Sequence, residues 1–231
     1  MTGRSGAILH FPFIKDLMNK LSLAGTALDA FHVCAFFNSK EEEYEVLCPY
    51  FQEGIAQGEK NLHIVNPAYL GKHREQLKAG GVDVDHCESC GQLEVVSWDD
   101  AYFDESGTFD KDRMLAVVDQ LTGSGREAGF SRLRIMGNMD WAVADTPGVD
   151  SLIQYEAEVN EVLARNQQPA ICVYDISKLT GAMMMNLLRT HPLTLINGVI
   201  QENAFYTPPA KMLEELRPRN EGMAHASHVE V

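Results

Sequence analysis

Between residues 28 and 216 the chain predicts an α/β fold of three layers, with helices on both faces of a mostly parallel sheet, and three features predict it. Apolar runs of strand length alternate with longer helical patterns, so the hydrophobic period keeps switching between two and about 3.6 residues. Repeated strand-helix-strand units require a parallel sheet that is covered on both sides. Near the end the pattern changes: Asn197-Gly198 sits between two short apolar pieces, 193–196 and 199–201, and Asn-Gly in that setting signals a hairpin, hence an antiparallel edge.

Residues 1–27 read as an N-terminal extension, frayed over 1–6, with one or two helical turns from Ile14 and a loop at Gly25. The first strand of the domain is 32–37, and it runs through Asn38-Ser39-Lys40 into a helix over 41–57 that opens on Glu41-Glu42-Glu43. In a nucleotide-binding α/β protein this junction carries glycines, because phosphate sits on the free N–H groups of a helix N-terminus and the backbone must come close to it. Three glutamates satisfy that field from within and repel an incoming phosphate. The layout is that of a nucleotide-binding protein without its anion chemistry, which favours a sensor or binding module over a catalyst.

The pattern continues with a strand at 62–66, a helix at 68–79, a strand at 93–98, a helix at 111–128 and a strand at 132–136. A helix at 149–166, a strand at 170–174 and a helix at 178–189 precede the terminal hairpin. Residues 217–231 are polar and read as a flexible tail. No internal repeat is evident.

With 231 residues and 45% hydrophobic content the chain buries a sizeable core as one domain. Lys+Arg 19 against Asp+Glu 33 gives a net charge of -14, the wrong sign for holding a phosphate backbone, so direct DNA or RNA binding is not expected. There is no signal-peptide pattern and no apolar run of membrane-spanning length, and the expected location is the cytoplasm. The five cysteines are Cys34, Cys48, Cys87, Cys90 and Cys172. Three of them lie in apolar segments, so no disulfide framework is indicated.

Ligands of open α/β sheets bind beyond the carboxyl ends of the strands. Those exits place Asn38 and Ser39, then Asn66, then Trp98 with Asp99 and Asp100, then Gly137 to Trp141, then Tyr174-Asp175. Aromatic walls with a few Asn and Asp groups suit a small organic ligand, although Asp and Asn also end strands because they make turns and cap helices. In the helix at 149–166, Leu152, Val159 and Leu163 share one face and Glu156 falls in the middle of it, with Asn160 one turn on. An inward carboxylate needs a cation, several donors or a proton. It serves either to tie down a loop or to anchor a ligand.

His32 and His191 precede strands, at the opposite edge of the sheet from this rim, and with Cys34 they form a second polar cluster if their strands are neighbours. His86-Cys87-Glu88-Ser89-Cys90 has ligand-like spacing, but no second pair follows at finger spacing, and the cysteines read as loop residues without a role. No serine or cysteine sits on a glycine-flanked elbow; Ser39 and Ser177 read as helix N-caps, and Met183-Met184-Met185 as core filling.

His32-x-Cys34-x-Phe36-Phe37, Gly91-Gln92-Leu93, Phe109-Asp110-x-x-Arg113-Met114, Tyr155-Glu156-x-x-x-Asn160, Cys172-x-Tyr174-Asp175 and His191-Pro192 appear in that order, and Glu202-Asn203-x-Phe205-Tyr206-x-x-Pro209 extends them. The set resembles the methanogen/methylotroph DcmR sensory domain, MEDS, over roughly residues 28 to 209. The resemblance implies a degenerate RecA/KaiC-like fold and a domain that detects small hydrocarbon derivatives beside a DNA-binding, histidine-kinase or anti-sigma module. No such module is recognisable here, so the signal would leave through a regulatory partner or a homodimer.

The expectation is a non-catalytic sensory domain whose ligand site at the strand exits uses Asn38, Trp98, Asp140, Trp141, Glu156, Asn160, Tyr174 and Asp175. His32, Cys34 and His191 form the second cluster, no metal is assigned, and the sequence names no cofactor. The rival expectation is a metal- or thiol-dependent enzyme on the same degenerate scaffold.

Overall fold

The computed structural model describes residues 22–28, 31–127, 129–143 and 146–226. The frayed start expected over 1–6, and the helical turns expected from Ile14 as far as residue 21, lie outside them. The described part of the extension is a small antiparallel hairpin, β1 (Ser22–Leu23) and β2 (Thr26–Ala27), turning at Ala24 and Gly25.

Seven further strands form one sheet: β3 (His32–Phe37), β4 (Lys60–Val65), β5 (Leu93–Ser97), β6 (Leu133–Asn138), β7 (Ala170–Asp175), β8 (Leu193–Ile196) and β9 (Val199–Glu202). Their order is β5-β4-β6-β7-β3-β8-β9, parallel throughout except for the β8/β9 hairpin. That hairpin turns on Asn197 (φ 51°) and Gly198 (φ 70°), the two left-handed positions that Asn-Gly accommodates with least strain.

One face of the sheet carries α1 (Lys40–Ala56), α2 (Leu70–Ala79) and α3 (Val84–Ser89), packed on Val33, Ala35, Phe37, Ile171 and Val173. The other carries α4 (Trp98–Tyr102), α5 (Lys111–Glu127), α6 (Leu152–Asn166) and α7 (Gly181–Thr190), packed on Cys34, Phe36, Ala170, Cys172 and Tyr174. The last helix, α8 (Pro209–Ala226), lies against α6 and α7.

Three boundaries differ from expectation. Residues 178–180 are not the start of α7: Asp175 caps a short 3-10 turn over Ile176–Lys178, and Thr180 caps α7 by accepting from the Met183 N–H. Cys87 and Cys90 do not lie in a loop, since Cys87 is buried within α3 and Cys90 ends it. The tail expected from residue 217 is helical as far as Ala226, because α8 continues through Pro218.

Strands β4 and β6 are neighbours whose following helices, α2 and α6, lie on opposite faces, and so are β7 and β3, followed by α7 and α1. Chain diverging to both sides leaves a crevice at the carboxyl ends of such a pair, and this positions the first candidate site.

Candidate functional site

At the start of α1, Ser39 is the N-cap and accepts from the Glu42 N–H, while Glu42 Oε2 accepts from the Asn38 backbone N–H at 2.9 Å and from its side chain at 3.1 Å. Glu43, 3% exposed, is bound by the Lys40 ammonium at 2.7 Å; burial pushes its carboxyl pKa up and Lys40 draws it back. The N–H groups at this helix start are therefore taken up within the chain, those of Glu42 and Glu43 by Ser39 and that of Asn38 by the Glu42 carboxylate.

Beside this helix end a cleft of about 120 Å³ opens at the strand exits, lined by Lys40, Glu43, Tyr44, Asn66, Tyr69, His73, Asn138, Asp140, Asp175 and Lys178. Lys178 reaches Asp140 at 2.7 Å and Asp175 at 3.3 Å. Burial would raise the Asp175 pKa, but hydrogen bonds from Ser177 and Lys178 hold it below the usual carboxylate value. From the cleft a chain of side chains runs inward: Tyr44 Oη lies 2.7 Å from His73 Nδ1, and His73 Nε2 lies 2.9 Å from His63 Nδ1. Burial lowers the His73 pKa to about 3 and takes His63 well below its ordinary value, so both rings are neutral.

Of the eight residues expected here, only Asp140 and Asp175 line the cleft. Asn38 turns instead toward the hairpin, with Asn197 Oδ1 3.5 Å away. Trp141 is 3% exposed among Tyr102, Phe103 and Phe109, and Trp98 packs against the same core; their apolar bulk serves the α4–α6 layer, not the rim. The sequence reading missed Lys178 and Lys40. Their register, three residues beyond Asp175 and three before Glu43, was the available signal.

Glu156, Asn160 and Tyr174 belong to a second, fully enclosed site. Period-two alternation sends His32 and Cys34 of β3, and Cys172 and Tyr174 of β7, to the face covered by α6. Glu156 and Asn160 descend from α6, and His191 arrives from the end of α7. His32 Nε2 lies 3.3 Å from Glu156 Oε2 and 3.3 Å from Cys172 Sγ, and His191 Nε2 is 3.5 Å from the same carboxylate oxygen. Cys172 Sγ is 3.9 Å from Glu156 Oε2, and Tyr174 Oη donates to Glu156 Oε1 at 2.9 Å. All four polar groups are sealed: His32 1% exposed, Glu156 0%, Cys172 8% and His191 0%.

The outer contacts fix both rings. His191 Nδ1 faces the Leu187 carbonyl at 2.8 Å and His32 Nδ1 faces Asn160 Oδ1 at 3.3 Å. The Asn160 amide donates to the carbonyls of Glu156, Ala157 and Thr190, so its oxygen is the atom turned to His32. Burial lowers both histidine pKa values to about 3, and the rings are neutral. Burial pushes the Glu156 carboxyl up, with His191 and Tyr174 opposing it, and burial together with Glu156 pushes the Cys172 thiol well up. The expected second cluster is therefore corrected in one member: Cys34, beside Cys172 in register, is outside this group of four, and Cys172 stands in its place.

The model of the family described as MEthanogen/methylotroph, DcmR Sensory domain matches residues 31–192. The transcriptional repressor DcmR of Methylorubrum extorquens is 23% identical over 163 residues, which is 69% of this chain and 57% of that protein. A KaiC-like protein of Pyrococcus horikoshii superposes with a TM-score of 0.53 at 12% identity, covering 79% of this chain and 83% of that one, so the likeness is one of fold. Among the described residues no helix is long and apolar enough to cross a membrane.

Proposed function

The chain belongs to the MEDS family of sensory domains, and on that premise we propose that it binds a small oxygenated organic molecule in the strand-exit cleft and passes the signal to a regulatory protein without transforming the molecule. The observation that carries this reading is the pairing of a helix N-terminus capped by Ser39 and crowded with three carboxylates with an open cleft beside it. The cleft offers Tyr44, Tyr69, Asn66 and Asn138 as hydrogen-bonding groups and the Asp140–Lys178–Asp175 bridge as a charged floor, which suits a compact molecule with one or two oxygens. A triphosphate would meet Glu41, Glu42 and Glu43. The repressor relative, 57% of whose length the match spans, supports transcription control as the output.

Thermal unfolding with a panel of small alcohols, aldehydes, ketones and carboxylates tests the reading. A true ligand at a hundredfold excess over its Kd raises stability by about 2.7 kcal/mol, because it binds the folded state alone. The gain disappears in Lys178→Met and Tyr69→Ala, both half-exposed or nearly so and tolerable to the fold. If Mg-ATP binds at the start of α1, or if the panel stabilises both variants as well as the parent, the reading is wrong.

A further inference from the structure

From the group of four on the α6 face we infer a buried binding site for a zinc-type divalent cation, with His32 Nε2, Glu156 Oε2, Cys172 Sγ and His191 Nε2 as its ligands. Nothing in the strand-exit reading uses these atoms. Donor atoms at zinc bond lengths of about 2.0–2.3 Å stand at the corners of a tetrahedron with edges of about 3.3 to 3.6 Å. Four of the six edges here measure 3.3, 3.3, 3.5 and 3.9 Å, and all four atoms lie within 4.8 Å of one another.

The electrostatics point the same way. Each histidine commits Nδ1 to an oxygen of its outer contacts, Asn160 Oδ1 or the Leu187 carbonyl, which makes Nδ1 the protonated nitrogen and turns the Nε2 lone pair inward. That is the arrangement in which metal-binding histidines are held, the outer hydrogen bond fixing tautomer and ring together. His191 Nε2 is fully buried and has no hydrogen-bond partner among the described residues, yet it is aimed at a carboxylate. Lone pairs from two imidazoles, a sulfur and a carboxylate oxygen converge on one point, which suits a proton or a metal cation.

A dication with one thiolate, one carboxylate and two neutral imidazoles has no net charge, which a sealed interior accepts far more readily than an isolated ion. On binding, the Cys172 thiol proton and the proton that burial favours on the Glu156 carboxyl leave to solvent as the Cys172–metal and Glu156–metal bonds form; nothing is oxidised or reduced. Nitrogen and sulfur donors exclude Mg²⁺ and Ca²⁺, which take oxygen, and select zinc or a neighbouring transition metal. Four protein donors fill the coordination sphere, so the site is a fastener and not a place where a substrate is activated. It would tie together β3, β7, α6 and the α7–β8 junction, the inner half of the sheet and the segment leading to its terminal hairpin.

The test is a titration of the full chain, stripped with chelator, its thiols reduced and air excluded, with Co²⁺ as a spectroscopic stand-in for zinc. The expected result is one ion per chain, with intense tetrahedral bands in the visible and a thiolate-to-cobalt charge-transfer band, all displaced by zinc. The charge-transfer band is lost in Cys172→Ser and kept in the Cys87→Ser/Cys90→Ser double variant. Asn160→Ala, which removes the outer partner of His32, weakens binding about 10- to 100-fold. The inference fails if the parent protein, shown folded by circular dichroism, takes up no cobalt. It fails equally if the charge-transfer band survives loss of Cys172, or is lost with Cys87 and Cys90.

Discussion

Two carboxylates are buried on opposite faces of the same sheet, Glu59 at 3% exposure and Glu156 at 0%, and they keep different company. Glu59 meets full cations: Arg134 in a short contact and Arg132 at 3.0 Å. Arg134 in turn donates to the Tyr50 carbonyl at 2.5 Å, and its guanidinium lies 4.3 Å from the centre of the Tyr50 ring. Glu156 meets two neutral imidazoles, a thiol and a phenol. With Glu53 Oε2 3.5 Å from Arg134 Nη1, two acids meet two arginines in the first arrangement, which is balanced in charge and joins the end of α1 to β6 as a structural clamp. The second has the lone pairs of a coordination shell. Burial alone does not distinguish a functional carboxylate from a structural one; the charge state of its neighbours does.

The contrast is broken most forcefully by Glu59→Gln. Removing one partner of a buried ion pair leaves the other uncompensated, and the expected loss is about 3–5 kcal/mol in urea unfolding. Glu59→Leu with Arg134→Met, which removes both charges, recovers much of it. A loss under about 1 kcal/mol for Glu59→Gln would place the pair among weakly contributing surface bridges and dissolve the distinction.

The next largest effect belongs to the other face. If the α6-face group binds zinc, the ion at a hundredfold excess over its Kd stabilises the parent protein by about 2.7 kcal/mol and leaves the stability of His191→Gln unchanged. The Glu59 clamp should be indifferent to zinc.

How much of this was legible in the sequence follows from what each residue's pattern encodes. The layers, the parallel sheet and the Asn197-Gly198 hairpin were legible because period and turn chemistry are local properties. Glu156 and Asn160 were legible as inward-facing, since a helix with one apolar stripe reports its own buried face. The partners of Glu156 were not. Strands β3 and β6 are buried at every position, and β7 at all but its last, so no hydrophobic alternation marks which side chains turn to α6 and which to α1. Cys172 could have been assigned from Tyr174 by period two once that tyrosine was in the site, whereas Cys34, on the same face, needs the register with β7 to be placed beside it. Trp98 and Trp141 were misplaced because an aromatic at a strand exit serves packing as readily as recognition, and only the positions of Tyr102, Phe103 and Phe109 decide between them. Arg134 is a cation inside a strand, and a fully buried arginine needs a buried acid nearby, but nothing local to its strand names Glu59 as that acid.

Acid sharpens the comparison further, through the His63–His73 pair on the α1 face. With His73 lowered from its ordinary 6.5 to about 3, the unfolded chain takes up a proton in that window that the folded chain refuses. Stability therefore falls as pH drops from about 6.5 toward 3, at about 1.4 kcal/mol per pH unit for each histidine held neutral. His73→Gln should flatten the slope of unfolding free energy against pH by about one such increment. An unchanged slope would mean that the ring is protonated in the folded protein.

The smallest effect is the most discriminating. In metal-free protein Glu156→Gln should alter stability by less than about 1 kcal/mol, where Glu59→Gln costs several times more. Burial favours the protonated form of Glu156, so a neutral amide of the same shape changes little. Its oxygen still accepts from Tyr174, and its NH₂ group donates toward the Nε2 atoms of His32 and His191, which both accept. The same substitution removes an anionic ligand from the zinc site, so cobalt binding and zinc stabilisation are lost while the fold is kept. Should Glu156→Gln instead unfold the metal-free protein as badly as Glu59→Gln does, Glu156 is a charged anchor of the same kind as Glu59, and the two faces of the sheet obey one rule.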